Sequence, residues 1–240
     1  MGRSEERAAN RRWRSAPYLL GMSTARFITP DERRRLLAQL AKPRDVLFFQ
    51  LAVNTGLRVS EILGLRWRQL IRGGAPAPAF EIPRRSLKNG RSENRRRVCT
   101  RRIPINAAAA AAIREYAFAA FGSAEPPLEN YVFASRKRSP GVISRKQAHR
   151  IIADAARRAG LEGTIAPHSL RRVFARACYH ATNHDPVALQ VLMGHANFQT
   201  SVIYIKPDPS ELAHVYEGLH SPAAEAAGAS RPVALNHHAQ

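Results

Sequence analysis

Apolar positions along this chain fall into helix-period runs, interrupted once by a stretch of short strand-like pieces. The first run follows a capping signature. In FITPDERRRLLAQL, Thr29 stands at the N-cap, Pro30 at the first helical position and Glu32 three residues on. Residues 45–54 (DVLFFQLAVN) are apolar nearly all round, which predicts a central, buried helix ended by Gly56, with a second helix over roughly 57–66. From 67 to 105 the apolar pieces shorten to WRQLI, AFEI and RVCTRRIPI, separated by GGAPAP and by the basic, turn-rich SLKNGRSENRR. This pattern predicts a small three-stranded antiparallel sheet whose last hairpin is long and cationic, with Pro83 marking an edge or a strand end. Helical periodicity returns at 107–121, 144–159, 168–181 and 186–193. Further on, SELAHVYEGLHS places Leu212, Val215, Tyr216 and Leu219 on one helical stripe. Residues 1–25 form a basic arm with little periodicity, and 221–240 carry no apolar pattern and read as a disordered tail. The fold class expected is mainly α with a small three-stranded antiparallel β-sheet (α+β).

Charge narrows the picture. Of 240 residues, 38 are Lys or Arg and 18 are Asp or Glu, a formal net charge of +20. Arginine dominates the excess, and its planar fork matches phosphate oxygens at any working pH. A polyanionic partner follows, with nucleic acid ahead of a membrane surface; the alternative is a solvated basic exterior. The two cysteines, Cys99 and Cys178, suggest a reducing compartment and no disulfide framework. No stretch approaches the roughly 20 apolar residues a bilayer requires. The charged N-terminus lacks a signal-peptide core, so a cytoplasmic protein with no membrane association is expected.

Five pieces bear on chemistry, each ambiguous alone. In TGLRVSEILGLRW (55–67), Val59, Ile62 and Leu63 face the core, and Arg58 sits at the helix start, off that stripe. It is either a phosphate seat or a surface arginine, and Glu61 either holds an arginine in place or is merely solvated. Lys88, in SLKNGRSENRR, either serves the chemistry or is one more basic loop residue. A lysine with a pKa near 10 donates a proton well only where its surroundings lower that value. In PHSLRRVFARAC (167–178), Leu170, Val173, Phe174 and Ala177 predict the buried stripe. His168 and Arg171, three apart, lie on a face beside it, as an anionic centre would need or as a solvated pair. Asp185 and Pro186 start a helix that Gly194 ends, so His195 projects from a fixed corner, for a structural hydrogen bond or a catalytic contact. Tyr204 is either a core residue with a polar tip or a nucleophile, and a phenol with pKa near 10 needs positive charge and a base beside it to attack anything. No His/Cys/carboxylate spacing fits a metal, and no P-loop is present, so neither metal nor cofactor is expected.

In order, these residues resemble the tyrosine recombinase (phage integrase) family. TGLRVSEILGL looks like its first arginine box and HSLRR like its His-x-x-Arg box. LMGHANFQTSVIY resembles its Leu-Gly-His segment and nucleophile, nine residues apart, and LKNG the turn bearing its lysine. The resemblance spans roughly residues 27–220. It implies a catalytic domain at 26–220, between the basic arm at 1–25 and the tail at 221–240. It also implies that Tyr204 attacks a phosphodiester of double-stranded DNA, forming a 3′-phosphotyrosyl bond and freeing a 5′-hydroxyl without metal or ATP. Arg58 and Arg171 would clamp the non-bridging oxygens, with Glu61 in support. His168 would act as acid/base, His195 would hydrogen-bond the phosphate, and Lys88 would protonate the leaving oxygen. Candidate DNA contacts are Arg84, Arg85, Arg91, Arg95 and Arg96 around the hairpin, and Arg172 beside Arg171. Family members usually carry an N-terminal helical domain that closes a clamp on DNA. Here a short basic arm precedes the catalytic domain, so either the arm and an accessory DNA-binding factor do that job, or the chain is a minimal recombinase similar to the small invertases, with weaker and more salt-sensitive binding. The C-terminal stripe implies helix exchange between protomers in a head-to-tail tetramer on DNA, or else a helix packed on its own domain. A type IB topoisomerase-like relaxing enzyme and a non-catalytic DNA-binding accessory protein are the rival readings.

Overall fold

The computed structural model describes residues 25–83, 100–135, 141–195 and 198–205, all within one compact unit, Ser23–Ile205. It is mostly helical, with small antiparallel ribbons. Helix α1 (Pro30–Ala38) opens on the expected capping box: Thr29 Oγ1 accepts from the Glu32 N–H, and the Glu32 carboxylate accepts from the Thr29 N–H at 2.9 Å. Arg26 donates to the same carboxylate, which holds the Glu32 pKa below the usual carboxylate range and anchors the start of the described chain.

Helix α2 (Pro43–Thr55) is the central element. Leu47, Phe48, Phe49, Leu51, Ala52 and Val53 are all buried, as an all-round apolar segment requires. It packs against α5 (Ala107–Phe121) and α7 (Pro167–Ala181). Gly56 ends it at φ +60°, where a Cβ would lie 2.2 Å from Cδ1 of Phe174 on α7. Glycine is required there by backbone sign and by space alike.

The next helix is shorter than its periodicity predicts. Helix α3 covers Val59–Leu63 only, because Leu65 and Arg66 leave it to pair with a distant strand segment. Val132 N–H donates to the Leu65 carbonyl at 2.9 Å, and Trp67 N–H to the Asn130 carbonyl at 3.1 Å. WRQLI is likewise not a strand from its start. Trp67–Leu70 forms a single helical turn, α4, opened by the Arg66 N–H donating to the Gln69 side chain. The strands follow as two ribbons. One is β1 (Ile71–Arg72) with β2 (Ala75–Pro76), and the other is β3 (Ala79–Ile82) with β4 (Arg101–Pro104), the latter paired Phe80 to Ile103. Among the described residues the sheet is thus two two-stranded ribbons. Helix α6 spans Arg145–Arg158, α8 Pro186–Met193 and α9 Phe198–Ile205.

Two apolar clusters result. The larger joins α1 to α7 and the ribbons around Trp67, Phe48 and Phe133. The smaller contains Ala175, Leu189, Met193 and Tyr204, from α7, α8 and α9. No helix among the described residues is long and apolar enough to cross a membrane.

Candidate active site

The site assembles around one arginine. The buried residues of α7 are Pro167, Ser169, Leu170, Arg171 and Ala175, while Ala177 is exposed and Val173 and Phe174 are half-buried. The buried face is thus rotated toward Arg171 relative to the apolar stripe that the sequence predicts. The reason lies in four partners that converge on the guanidinium, which is only 2% exposed. Nη1 donates to the Gly56 carbonyl. Nη2 donates to the Met193 carbonyl at 3.2 Å and to His195 Nε2 at 2.8 Å. Nε donates to the Tyr204 hydroxyl at 3.3 Å. A buried charge is tolerable only when so satisfied. Burial weighs against its charge and lowers the Arg171 pKa, and Tyr204 and Glu61 oppose that effect.

His195 follows from a helix end. Gly194, at φ +61°, closes α8 in a Schellman pattern: its N–H donates to Val191 and the His195 N–H to Gln190, both at 3.0 Å. The ring's tautomer follows from its partners. Arginine only donates, so Nε2 accepts from Arg171, and the proton sits on Nδ1, which donates to Ser201 Oγ at 2.9 Å. An imidazolium would aim a second N–H at Arg171. Burial first, then the charges of Arg171, Arg58 and Arg101, push the His195 pKa down to about 3.

Tyr204 is a core residue whose polar tip points into the charged cluster. Its ring is 7% exposed and belongs to the smaller cluster, with His195 stacked at 5.3 Å between centroids, while its hydroxyl accepts from Arg171. The His168 ring lies near it as well, its centroid 5.1 Å away. His168 keeps an open edge to solvent at the start of α7, but burial, then Arg171, Arg172 and Arg58, lower its pKa and favour the neutral ring.

Arg58 sits half-buried at the N-cap of α3. Glu61, whose side chain is 1% exposed, accepts from the Arg58 N–H at 2.8 Å and from its guanidinium at 2.9 Å. Of the two roles open for Glu61, holding an arginine is the one realised. The charges of Arg58 and Arg171 act on each other and on both histidines, so Arg58, His168, Arg171, His195 and Tyr204 form one constellation. Arg172 is half-buried, with Nη1 on the Ala25 carbonyl at 2.9 Å. Lys88, Arg84, Arg85, Arg91, Arg95 and Arg96 lie outside the described residues, as do the basic arm and the stripe Leu212, Val215, Tyr216 and Leu219.

Three neighbours of the cluster have no counterpart among the residues expected from sequence: Ser201, the Gly56 carbonyl and Arg101. The first two carry no signal beyond their own identity. Arg101 does carry one, since strand alternation in RRIP puts it on the inward face with Ile103.

Comparison with known proteins decides the lineage. The sequence pattern of the phage integrase family matches residues 26–211, most of the chain. The chain belongs to the phage integrase family. Among its relatives, the tyrosine recombinase XerC of Xylella fastidiosa (strain 9a5c) is 33% identical over 177 residues, covering 74% of this chain and 53% of the relative. XerC of Xanthomonas campestris pv. campestris (strain B100) is 31% identical, covering 74% and 48%. The chain therefore spans about half the length of these integrase-family relatives. Solved structures of the fold include XerA recombinase, with TM-score 0.60 and 22% identity over 83% of this chain and 66% of that one. XerH bound to a palindromic difH substrate gives TM-score 0.58 and 21% identity, covering 80% and 52%.

Proposed function

We propose that this integrase-family chain is a site-specific DNA recombinase that cuts and rejoins strands through Tyr204. The observation that carries the reading is the single guanidinium of Arg171 touching both the Tyr204 hydroxyl and His195, with Arg58 held beside it by Glu61. The phenol oxygen attacks phosphorus and the bond to the 5′-oxygen breaks. The phenolic proton passes to His168, whose lowered pKa keeps a ring nitrogen free to accept it near neutral pH. Arg58 and Arg171 stabilise the charge that gathers on the non-bridging oxygens. His195 is the strut that aims Arg171; when DNA is bound its proton moves to Nε2, which donates to a non-bridging phosphate oxygen, while Nδ1 accepts from the Ser201 hydroxyl. Lys88 delivers a proton to the departing 5′-oxygen. Rejoining is the reverse step with a 5′-hydroxyl as nucleophile, so the phosphotyrosyl ester conserves the bond energy. The partners proposed are double-stranded DNA and further copies of this chain in a head-to-tail assembly, acting in the cytoplasm.

The test is covalent trapping. The protein is incubated in EDTA with fragmented DNA from its own source, denatured in SDS, and the adducts are sequenced, with Tyr204→Phe in parallel. Adducts on a recurring sequence, absent in the variant, are expected. Adducts scattered without a recurring site would instead mark a relaxing enzyme. Binding without any adduct would mark an accessory DNA-binding protein.

A further inference from the structure

Strand β4 carries an arginine that the proposed mechanism does not use. Arg101 faces inward with Ile103, and its Nη2 donates to the Leu192 carbonyl at 2.7 Å, in the last turn of α8. Its stem runs so close to Gly194 that a Cβ there would lie 2.4 Å from Cδ and 2.6 Å from Nε. Its Nη1 is shielded from solvent and has no hydrogen-bond partner among the described residues.

This is a costly way to fill space. Burial lowers the Arg101 pKa, Arg171 and Arg58 push in the same direction, and Glu61 alone opposes them. A methionine or leucine would pack against Gly194 without a desolvated charge or an unpaired donor. What only the guanidinium supplies is the bond across 91 residues to Leu192. The next carbonyl, that of Met193, is held by Arg171, and His195 lies two residues further on. Two guanidinium groups thus grip successive carbonyls of one turn. In the chain, β4 returns from residues 84–99, which contain Lys88 and five of the candidate DNA arginines.

We propose that Arg101 is a further positioning residue for strand cleavage: it ties strand β4, which follows the cationic segment 84–99 in the chain, to the Leu192–His195 turn and so sets where His195 meets Arg171. The proposal rests on the recombinase reading above. Arg101 acts through His195 and Arg171, not on the DNA, so its loss slows the chemical step and leaves DNA affinity in place.

Three measurements on Arg101→Met test this: DNA affinity, the rate of phosphotyrosyl adduct formation at saturating DNA, and the NMR titration of His195 in the DNA-free protein. Affinity should stay within about twofold, and the saturated rate should fall on the order of tenfold to a hundredfold, as a misplaced catalytic group predicts. The His195 titration should move toward that of an ordinary histidine. Arg101→Lys, which keeps the charge and one donor, should recover part of the rate. A folded Arg101→Met with a wild-type rate would overturn the proposal, as would a loss of affinity with the rate intact, which would make Arg101 a DNA contact. Should Arg101→Met fail to fold by circular dichroism, Arg101→Lys carries the test. Its expected result is then a several-fold slower rate, and a wild-type rate would overturn the idea. A wild-type protein that binds DNA and never forms an adduct sinks the recombinase reading, and this proposal with it. A working wild type beside an equally fast Arg101→Met sinks only the proposal.

Discussion

At the scale of single residues, charge follows from who donates to whom. His195 has a proton on Nδ1, spent on Ser201, and a lone pair on Nε2, spent on Arg171. Protonating it in the fold would set two donors against each other beside Arg171, Arg58, Arg101 and His168, all of which oppose the added charge. The unfolded chain has no such penalty and takes up the proton near pH 6.5. The folded pKa is the lower one, about 3, so stability is full above pH 6.5 and falls as the pH drops through that window. One such group contributes a slope of at most about 1.4 kcal/mol per pH unit. Urea unfolding of wild type and His195→Gln between pH 7 and pH 4.5 should show a shallower slope in the variant. Equal slopes would mean that His195 is protonated as easily in the fold as outside it. Arg171 teaches a related lesson. Apolar periodicity cannot anticipate a buried arginine, because its burial is stabilised by acceptors at Gly56, Met193, His195 and Tyr204, all remote in sequence.

At the scale of elements, what was legible from sequence is what neighbouring residues decide among themselves. The capping box of Thr29 and Glu32, the apolar girth of α2, the Asp185 start of α8 and the glycine ends at Gly56 and Gly194 all depend on residues within one or two turns. The early end of α3 was not legible, since Leu65 leaves the helix for a hydrogen bond with Val132, 67 positions away. Nor was the Arg101 to Leu192 bond. Gly56 separates the two kinds of constraint. Gly56→Ala would impose a strained backbone and also drive a methyl group into Phe174, whereas Gly122, at φ +66°, has nothing within 4 Å of a Cβ. Gly122→Ala should therefore cost about 1 kcal/mol, and Gly56→Ala about 1–3 kcal/mol more, by chemical denaturation. Equal costs would show that Phe174 moves aside freely, and the close approach would then have no part in placing Arg171.

At the scale of the whole molecule, helix α8 presents an apolar surface that the described residues do not cover. Val187, Val191 and Leu192 on α8 are 60%, 74% and 42% exposed. In the proposed head-to-tail assembly this surface would receive, from a neighbouring copy, the apolar stripe that the sequence places at Leu212, Val215, Tyr216 and Leu219. Deleting residues 209–240 should leave binding of one copy to DNA within a few-fold and abolish the larger complexes seen by native gel or mass photometry. Unchanged assembly would place the contacts elsewhere. The partners of Arg171 have a consequence in time as well as in space. They lie 115, 22, 24 and 33 positions from it, at Gly56, Met193, His195 and Tyr204. A chain being synthesised holds Arg171 before three of those partners exist. The proposed nucleophile therefore meets the guanidinium that holds it only once the chain has been made through residue 204, so the constellation closes in one step and not piece by piece during synthesis.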